Sequence, residues 1–166
     1  MKLLIHDIEK GNENLLLDNK ANDVTVISDN GKIHPCICCY GCFIKTPGQC
    51  VIKDGYDNLG LLFSKCNQLI IISQCFYGGY SPFVKNVIDR GACPYLLPYF
   101  ETRNGEMHHQ MRYKNSIELI VHFYGKISEA EKETAEKLVK ANEINLFQKS
   151  TVYFYKALEE IKRVLQ

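Results

Sequence analysis

Apolar positions along the chain fall into short blocks separated by polar turns. Leu3-Leu4-Ile5, ending at His6-Asp7, predicts a buried first strand. Lys10 to Asn19 is polar apart from Leu15-Leu16-Leu17 and predicts a short helix. Val24 to Ile27 alternates into a second strand, closed by the turn signal Asp29-Asn30-Gly31. Tyr56 to Lys65 predicts a helix carrying Leu59, Leu61, Leu62 and Phe63. Leu69-Ile70-Ile71-Ile72 is apolar on both faces, as a central parallel strand must be. Phe76 to Tyr80 contains Gly78-Gly79 and reads as a loop. Ser81-Pro82 then predicts a helix start with a side-chain cap, its core face being Phe83, Val84, Val87 and Ile88.

Gly91 to Asn115 has two prolines and little periodicity, and is expected to be a long functional or interaction-bearing loop. Ile117 to Phe123 predicts a fourth strand. Ser128 with Glu131 forms a capping box for a helix running to about Asn142. Thr151 to Tyr155 predicts a fifth strand, and Ala157 to Leu165 a last amphipathic helix. Alternating strands and helices imply a parallel sheet with helices on both faces. The expectation is one α/β domain over residues 1–166, a three-layer α/β/α sandwich whose five-stranded sheet has the order 2-1-3-4-5. In such sheets ligands bind beyond the carboxyl ends of the strands, where the order reverses.

Composition narrows the class. The chain has 166 residues, 46% apolar and 23% charged, with a net charge of +1 and no basic block, so nothing points to nucleic acid. No segment approaches the roughly 18 apolar residues of a membrane span. MKLLIHDIEK is too short an apolar run for a signal peptide, so the expected compartment is the cytoplasm. Eight cysteines in a reducing compartment suggest metal or redox chemistry rather than structural disulfides.

Five of the eight lie in PCICCYGCFIKTPGQCVIKD, residues 35–54. Setting Cys38 aside, Cys36, Cys39, Cys42 and Cys50 have the spacing C-x2-C-x2-C-x7-C, compact enough to hold an iron–sulfur cluster such as [4Fe–4S]. A four-cysteine zinc site usually pairs two separated knuckles, which is a poorer match. A cysteine-rich loop without metal is the third reading, and there Cys39 and Cys42 are the expected pair to oxidise. Thr46-Pro47-Gly48 predicts a type II turn that folds Cys50 back toward the other thiols.

CICCYGCFIKTPGQCVIKD resembles the C-x-G-C-x-x-C-x-x-K-T-P-G-x-C-x-x-x-D segment of the flavodoxin-like NAD(P)H-dependent FMN reductase family, which has iron–sulfur flavoprotein relatives. CFYGGYSPFVKNVIDR resembles that family's P-x-Y-x-G-x-x-S-x-x-x-K-x-x-x-D-R. The resemblance implies a flavodoxin-like fold, FMN at the strand tips, NAD(P)H as electron donor, a small-molecule electron acceptor, and a homodimer or larger assembly. By position it places Gln74, Cys75, Phe76, Tyr77, Gly78, Gly79 and Tyr80 beside the isoalloxazine, with Tyr77 or Tyr80 able to stack on it. Gly11-Asn12 matches the remnant of the phosphate turn, and His122 is a further candidate at the flavin edge. Lys85, Asp89 and Arg90 are expected to orient the helix end through salt bridges.

Three departures matter. Cys38 stands where the family has glycine, and Gln74-Cys75 replaces a small residue and proline. Glu13 takes a threonine position in the phosphate turn, where Asp7 and Glu9 add negative charge and are expected to weaken FMN binding. The leading expectation is a flavin-dependent oxidoreductase; the alternatives are an iron–sulfur flavoprotein and a chain that has lost FMN and acts by binding. His108-His109 reads as solvated or interfacial, and Tyr95, Tyr99 and Tyr113 in the long connection suggest a subunit contact.

Overall fold

The computed structural model describes residues 1–9, 23–146 and 148–161. Five strands form one parallel sheet: β1 (Lys2–His6), β2 (Val24–Ile27), β3 (Gln68–Gln74), β6 (Glu118–Tyr124) and β7 (Lys149–Tyr155). Their spatial order is β2-β1-β3-β6-β7, the flavodoxin-like order expected from the alternating pattern. Every neighbouring pair is parallel, with Leu4 beside Ile70 and Ile70 beside Ile120 across the centre.

Pleating sends alternate residues to opposite faces. Leu3, Ile5, Leu69, Ile71, Leu119, Val121 and Phe123 build one core with α2 (Leu59–Lys65), α3 (Pro82–Tyr95) and α4 (Glu129–Leu146). Leu4, Ile70 and Ile72 face the other way and join Ile8 and Ile161 in a smaller cluster. The helix expected at 10–19 lies outside the described residues, as does the 162–165 part of the helix expected over Ala157 to Leu165; within its described part Leu158–Glu160 is a 3-10 turn. Helices α2 and α3 approach closely because Gly60 and Gly91 carry no side chain. A Cβ at Gly60 would sit 2.7 Å from the Pro94 ring, and one at Gly91 2.6 Å from the Phe63 ring.

The capping box is realised. Glu131 accepts hydrogen bonds from the Ser128 N–H and hydroxyl, and the Glu131 N–H reaches back to Ser128 Oγ. Ser81 does not cap α3; its buried hydroxyl makes no hydrogen bond.

The stretch 91–115 is not a loop. α3 continues through Pro94 to Tyr95, and the chain then forms a hairpin of β4 (Leu96–Arg103) and β5 (Glu106–Met111). Asn104 and Gly105 both have positive φ, at 50° and 84°, which is the twisted two-residue turn that joins antiparallel strands. Pro98 falls in an irregularity of the ladder between Leu96 and Phe100, where its missing N–H is tolerated.

Candidate functional site

The chain starts at β1, moves outward to β2, and returns to β3 on the other side, so the order reverses between the carboxyl ends of β1 and β3. Asp7 occupies that point and ties three strand ends together. Its carboxylate accepts from the Gln74 N–H at 2.8 Å, the Tyr124 hydroxyl at 2.9 Å and, at 3.5 Å, the Ser73 hydroxyl. Burial first, and then Asp7, push the Tyr124 phenol up, so its proton stays in that bond.

Beyond Gln74 the chain makes a tight turn. Phe76 and Gly79 exchange backbone hydrogen bonds at 3.0 and 2.8 Å, with Tyr77 and Gly78 between them at φ 51° and 78°. Tyr77 is 90% exposed and Phe76 42%, an unusual cost for two aromatic rings at a strand tip. Gly78 is buried against α4, where a Cβ would lie 2.6 Å from Thr134 Cβ and 2.8 Å from the Glu131 carbonyl. Its missing side chain therefore seats the turn on α4. Cys75 is half-buried; its N–H donates to the Tyr124 carbonyl, and burial pushes its thiol up.

Tyr80 packs inward, stacked on Phe123 at 5.4 Å, with its hydroxyl accepting from Asn142. Of the two tyrosines expected to meet a flat ring, Tyr77 alone presents its face. His122 is not at a strand tip, because β6 runs two residues further to Tyr124. It is buried, stacked on Tyr153 at 5.1 Å, and its Nδ1 lies 3.1 Å from the Tyr155 hydroxyl. Burial lowers it to about 4, so it is neutral at physiological pH. Gly11, Asn12 and Glu13 lie outside the described residues.

The cysteine segment builds a second locality. Cys38 and Tyr40 take positive φ of 50° and 56°, leading into the one-turn helix α1 (Gly41–Ile44). Cys38 thus adopts the backbone conformation that glycine takes without strain, so the loop accommodates a side chain there. The expected type II turn is present. The Gln49 N–H donates to the Thr46 carbonyl at 2.9 Å across Pro47 and Gly48, the latter at φ 86°.

A buried ion pair fastens this loop to α3. Arg90, 1% exposed, pairs with Asp54 and donates to the carbonyls of His34 at 3.2 Å and Ile52 at 3.1 Å. Burial raises the Asp54 carboxyl, but hydrogen bonds from Arg90 and from the N–H groups of His34 and Tyr56 outweigh it and bring it to about 2. Lys85 and Asp89 form an exposed pair one turn earlier. The ion pair therefore joins the last residues of the two motifs singled out above.

Between loop, α3 and hairpin lies an apolar cavity of about 340 Å³. Six cysteines line it: Cys36, Cys38, Cys39, Cys42 and Cys50 from the loop, and Cys93 from α3. Phe43, Phe100 and His109 close another side, the His109 ring 4.3 Å from Phe100 and its Nδ1 2.8 Å from the Leu97 carbonyl. Burial and then Cys50, Cys36 and Cys39 push the Cys42 thiol up; burial and then Cys36 and Cys42 push up that of Cys93. Arg90 Nε on the same wall has no hydrogen-bond partner.

The four-thiol cage suggested by the spacing is not formed. Among the described residues no group of three or more His, Cys, Asp or Glu side chains is arranged to hold a metal ion. Cys39 is exposed, and Cys93 of α3 joins the loop thiols on the cavity wall.

No known family model and no curated protein matches the chain. Among solved structures it is similar to an FMN-dependent NADH-azoreductase from Bacillus anthracis str. Ames Ancestor in complex with FMN. The two share 8% identity and a TM-score of 0.50, over 92% of this chain and 85% of that one. That likeness shows the fold.

Sequence reasoning missed Cys93, whose signal was available: it lies three residues after Arg90, on the same helix face. The histidine pair, expected to be solvated or interfacial, divides between the interior and the cavity wall. His108 is buried with Nδ1 2.9 Å from the Asn145 side-chain oxygen, and His109 belongs to the cavity wall. Tyr95 and Leu96 are buried, Tyr95 edge-on to Phe63 and stacked on Tyr113; Tyr99 and Phe100 are exposed. Among the described residues no helix is long and apolar enough to cross a membrane.

Proposed function

We propose that the chain is a flavin-dependent oxidoreductase, holding FMN beyond the carboxyl ends of β1, β3 and β6 and passing electrons from NAD(P)H to a small acceptor. The observation that carries this reading is the Gln74–Tyr80 turn. It stands where the strand order reverses and leaves the rings of Phe76 and Tyr77 exposed. Exposed aromatic faces at such a point suit a flat heteroaromatic ring. The FMN and NADH named for the structurally similar azoreductase support the same cofactors here.

The residues present fit the ring end of FMN. Tyr77 offers a ring face, and Ser81 holds an unpaired buried hydroxyl at the N-terminus of α3, directly beyond the turn. Asp7 is a positioning residue: by accepting from Gln74, Ser73 and Tyr124 it holds the turn against the strand ends. Bound FMN would supply the hydride and electron chemistry, while the protein orients it. Among the described residues here no side chain is called on as acid or base, since His122 is buried in a ring stack.

Visible absorption of the purified chain mixed with FMN tests this reading. Binding should perturb the flavin bands, and anaerobic NADH or NADPH should then bleach them. A flavin spectrum unchanged by excess protein would overturn it and leave a chain that keeps the fold and acts by binding.

A further inference from the structure

We propose that the apolar cavity between the cysteine loop, α3 and the hairpin binds a neutral one- or two-ring aromatic carbonyl, whose oxygen accepts a hydrogen bond from Arg90 Nε. Its walls suit a flat ring. Tyr40, Phe43, His109 and Phe100 all line it and form one run of ring contacts. The centroids lie 6.2 Å apart from Tyr40 to Phe43, 6.2 Å from Phe43 to His109 and 4.3 Å from His109 to Phe100. The six cysteines share the lining, and their soft, polarisable sulfurs also pack well against aromatic rings.

Among these apolar groups stands one unanswered donor. Arg90 lines the cavity and is fully buried, and its terminal nitrogens bond Asp54 and the carbonyls of His34 and Ile52. Its Nε has no partner. A buried donor without an acceptor is costly, and a ligand carbonyl relieves that cost. A trapped water relieves it poorly, because buried waters ordinarily make about three hydrogen bonds and these walls are apolar. Asp54 already balances the Arg90 charge, so a neutral ligand suits the site better than an anion.

The cavity is preformed and open. The Arg90–Asp54 pair holds the loop on α3, and Gly41 packs so closely that a Cβ there would lie 2.5 Å from Val51 Cγ1. Ile37, Tyr40 and Phe100 line the cavity yet are exposed, which places an apolar rim at its mouth. A volume of about 340 Å³ sits at the small end of ligand sites. The site is separate from the strand tips. The Gln74–Tyr80 turn leads into the start of α3, whereas Arg90 and Cys93 lie near its end, and a helix of 14 residues is about 21 Å long. A flavin, with several polar atoms along one ring edge, would leave most of them unpaired against a single donor.

The test titrates acetophenone, ethylbenzene and benzoate into the isotope-labelled full chain without flavin, following backbone amide and arginine Nε–H resonances by NMR. Acetophenone should shift the amides of Cys36, Phe43, Cys93 and Phe100 and move the Arg90 Nε–H proton downfield. Ethylbenzene, the same skeleton without the oxygen, should shift those amides and leave that proton in place. Phe100→Ala should weaken acetophenone roughly 2- to 12-fold through loss of one aromatic contact, and Tyr77→Ala should leave it unchanged. The wild-type titration decides without either variant, and with no flavin present it stands apart from the FMN reading. Amides at the cavity that do not move, or shifts confined to the Gln74–Tyr80 turn, would overturn the proposal. So would an Arg90 Nε–H that ignores bound acetophenone, or benzoate binding more tightly than acetophenone.

Discussion

The strand-tip turn and the thiol-lined cavity are built in opposite ways. The turn Gln74–Tyr80 is local: one strand delivers it, a two-residue reversal shapes it, and Asp7 and α4 hold it from either side. The cavity is assembled from the cysteine loop and from the helix and hairpin that follow it in the chain, with Arg90 and Asp54 fastening loop to helix. Damage to the first should stay near the flavin proposal. Damage to the second should spread through stability and thiol chemistry while leaving the strand tips intact.

The largest effect is expected at that ion pair. Arg90→Met leaves Asp54 buried without its partner, and removing one member of a buried pair costs about 3–5 kcal/mol. Thermal unfolding should fall steeply, and the cavity thiols should alkylate faster than in the parent chain. An unchanged midpoint would show that the loop is held by something else.

A titration separates sheet from loop next. Burial lowers His122 from 6.5 to about 4, so the unfolded chain binds that proton more readily. Its contribution to stability is complete above pH 6.5 and is lost as pH falls toward 4, on the order of 3 kcal/mol in all. Denaturant midpoints measured from pH 7 to 4 should decline, and His122→Phe should flatten that decline.

On the turn side, Gly78→Ala combines a positive φ with a Cβ pressed onto α4. The expected loss is about 2 kcal/mol, together with weaker flavin binding because the turn lifts from its seat. On the loop side, Cys38→Gly relieves a left-handed cysteine and should stabilise by up to about 1 kcal/mol, read as a small rise in Tm.

The same contrast explains what the sequence disclosed. The run Leu69–Ile72 and the alternation around it were legible because burial on two faces leaves an unbroken apolar signature. The Ser128–Glu131 box and the Thr46–Gly48 turn were legible because they are local hydrogen-bond chemistry. The hairpin was obscured by Pro94 and Pro98, one absorbed in the last turn of α3 and the other in a break of the ladder; Asn104-Gly105 was the signal to weigh against them. Cys93 joins the loop thiols through tertiary packing, which no local spacing records.

Flavin titration into three proteins bears most directly on the central claim, that the strand tips and not the cavity receive the ring. FMN and riboflavin would be titrated into the parent chain, Tyr77→Ala and Phe100→Ala, with binding read from flavin fluorescence. Losing one aromatic stacking partner costs about 0.5–1.5 kcal/mol, so Tyr77→Ala should weaken both flavins roughly 2- to 12-fold. Phe100→Ala, on the cavity wall, should leave both unchanged. Weakened binding in Phe100→Ala with Tyr77→Ala unaffected would contradict the account.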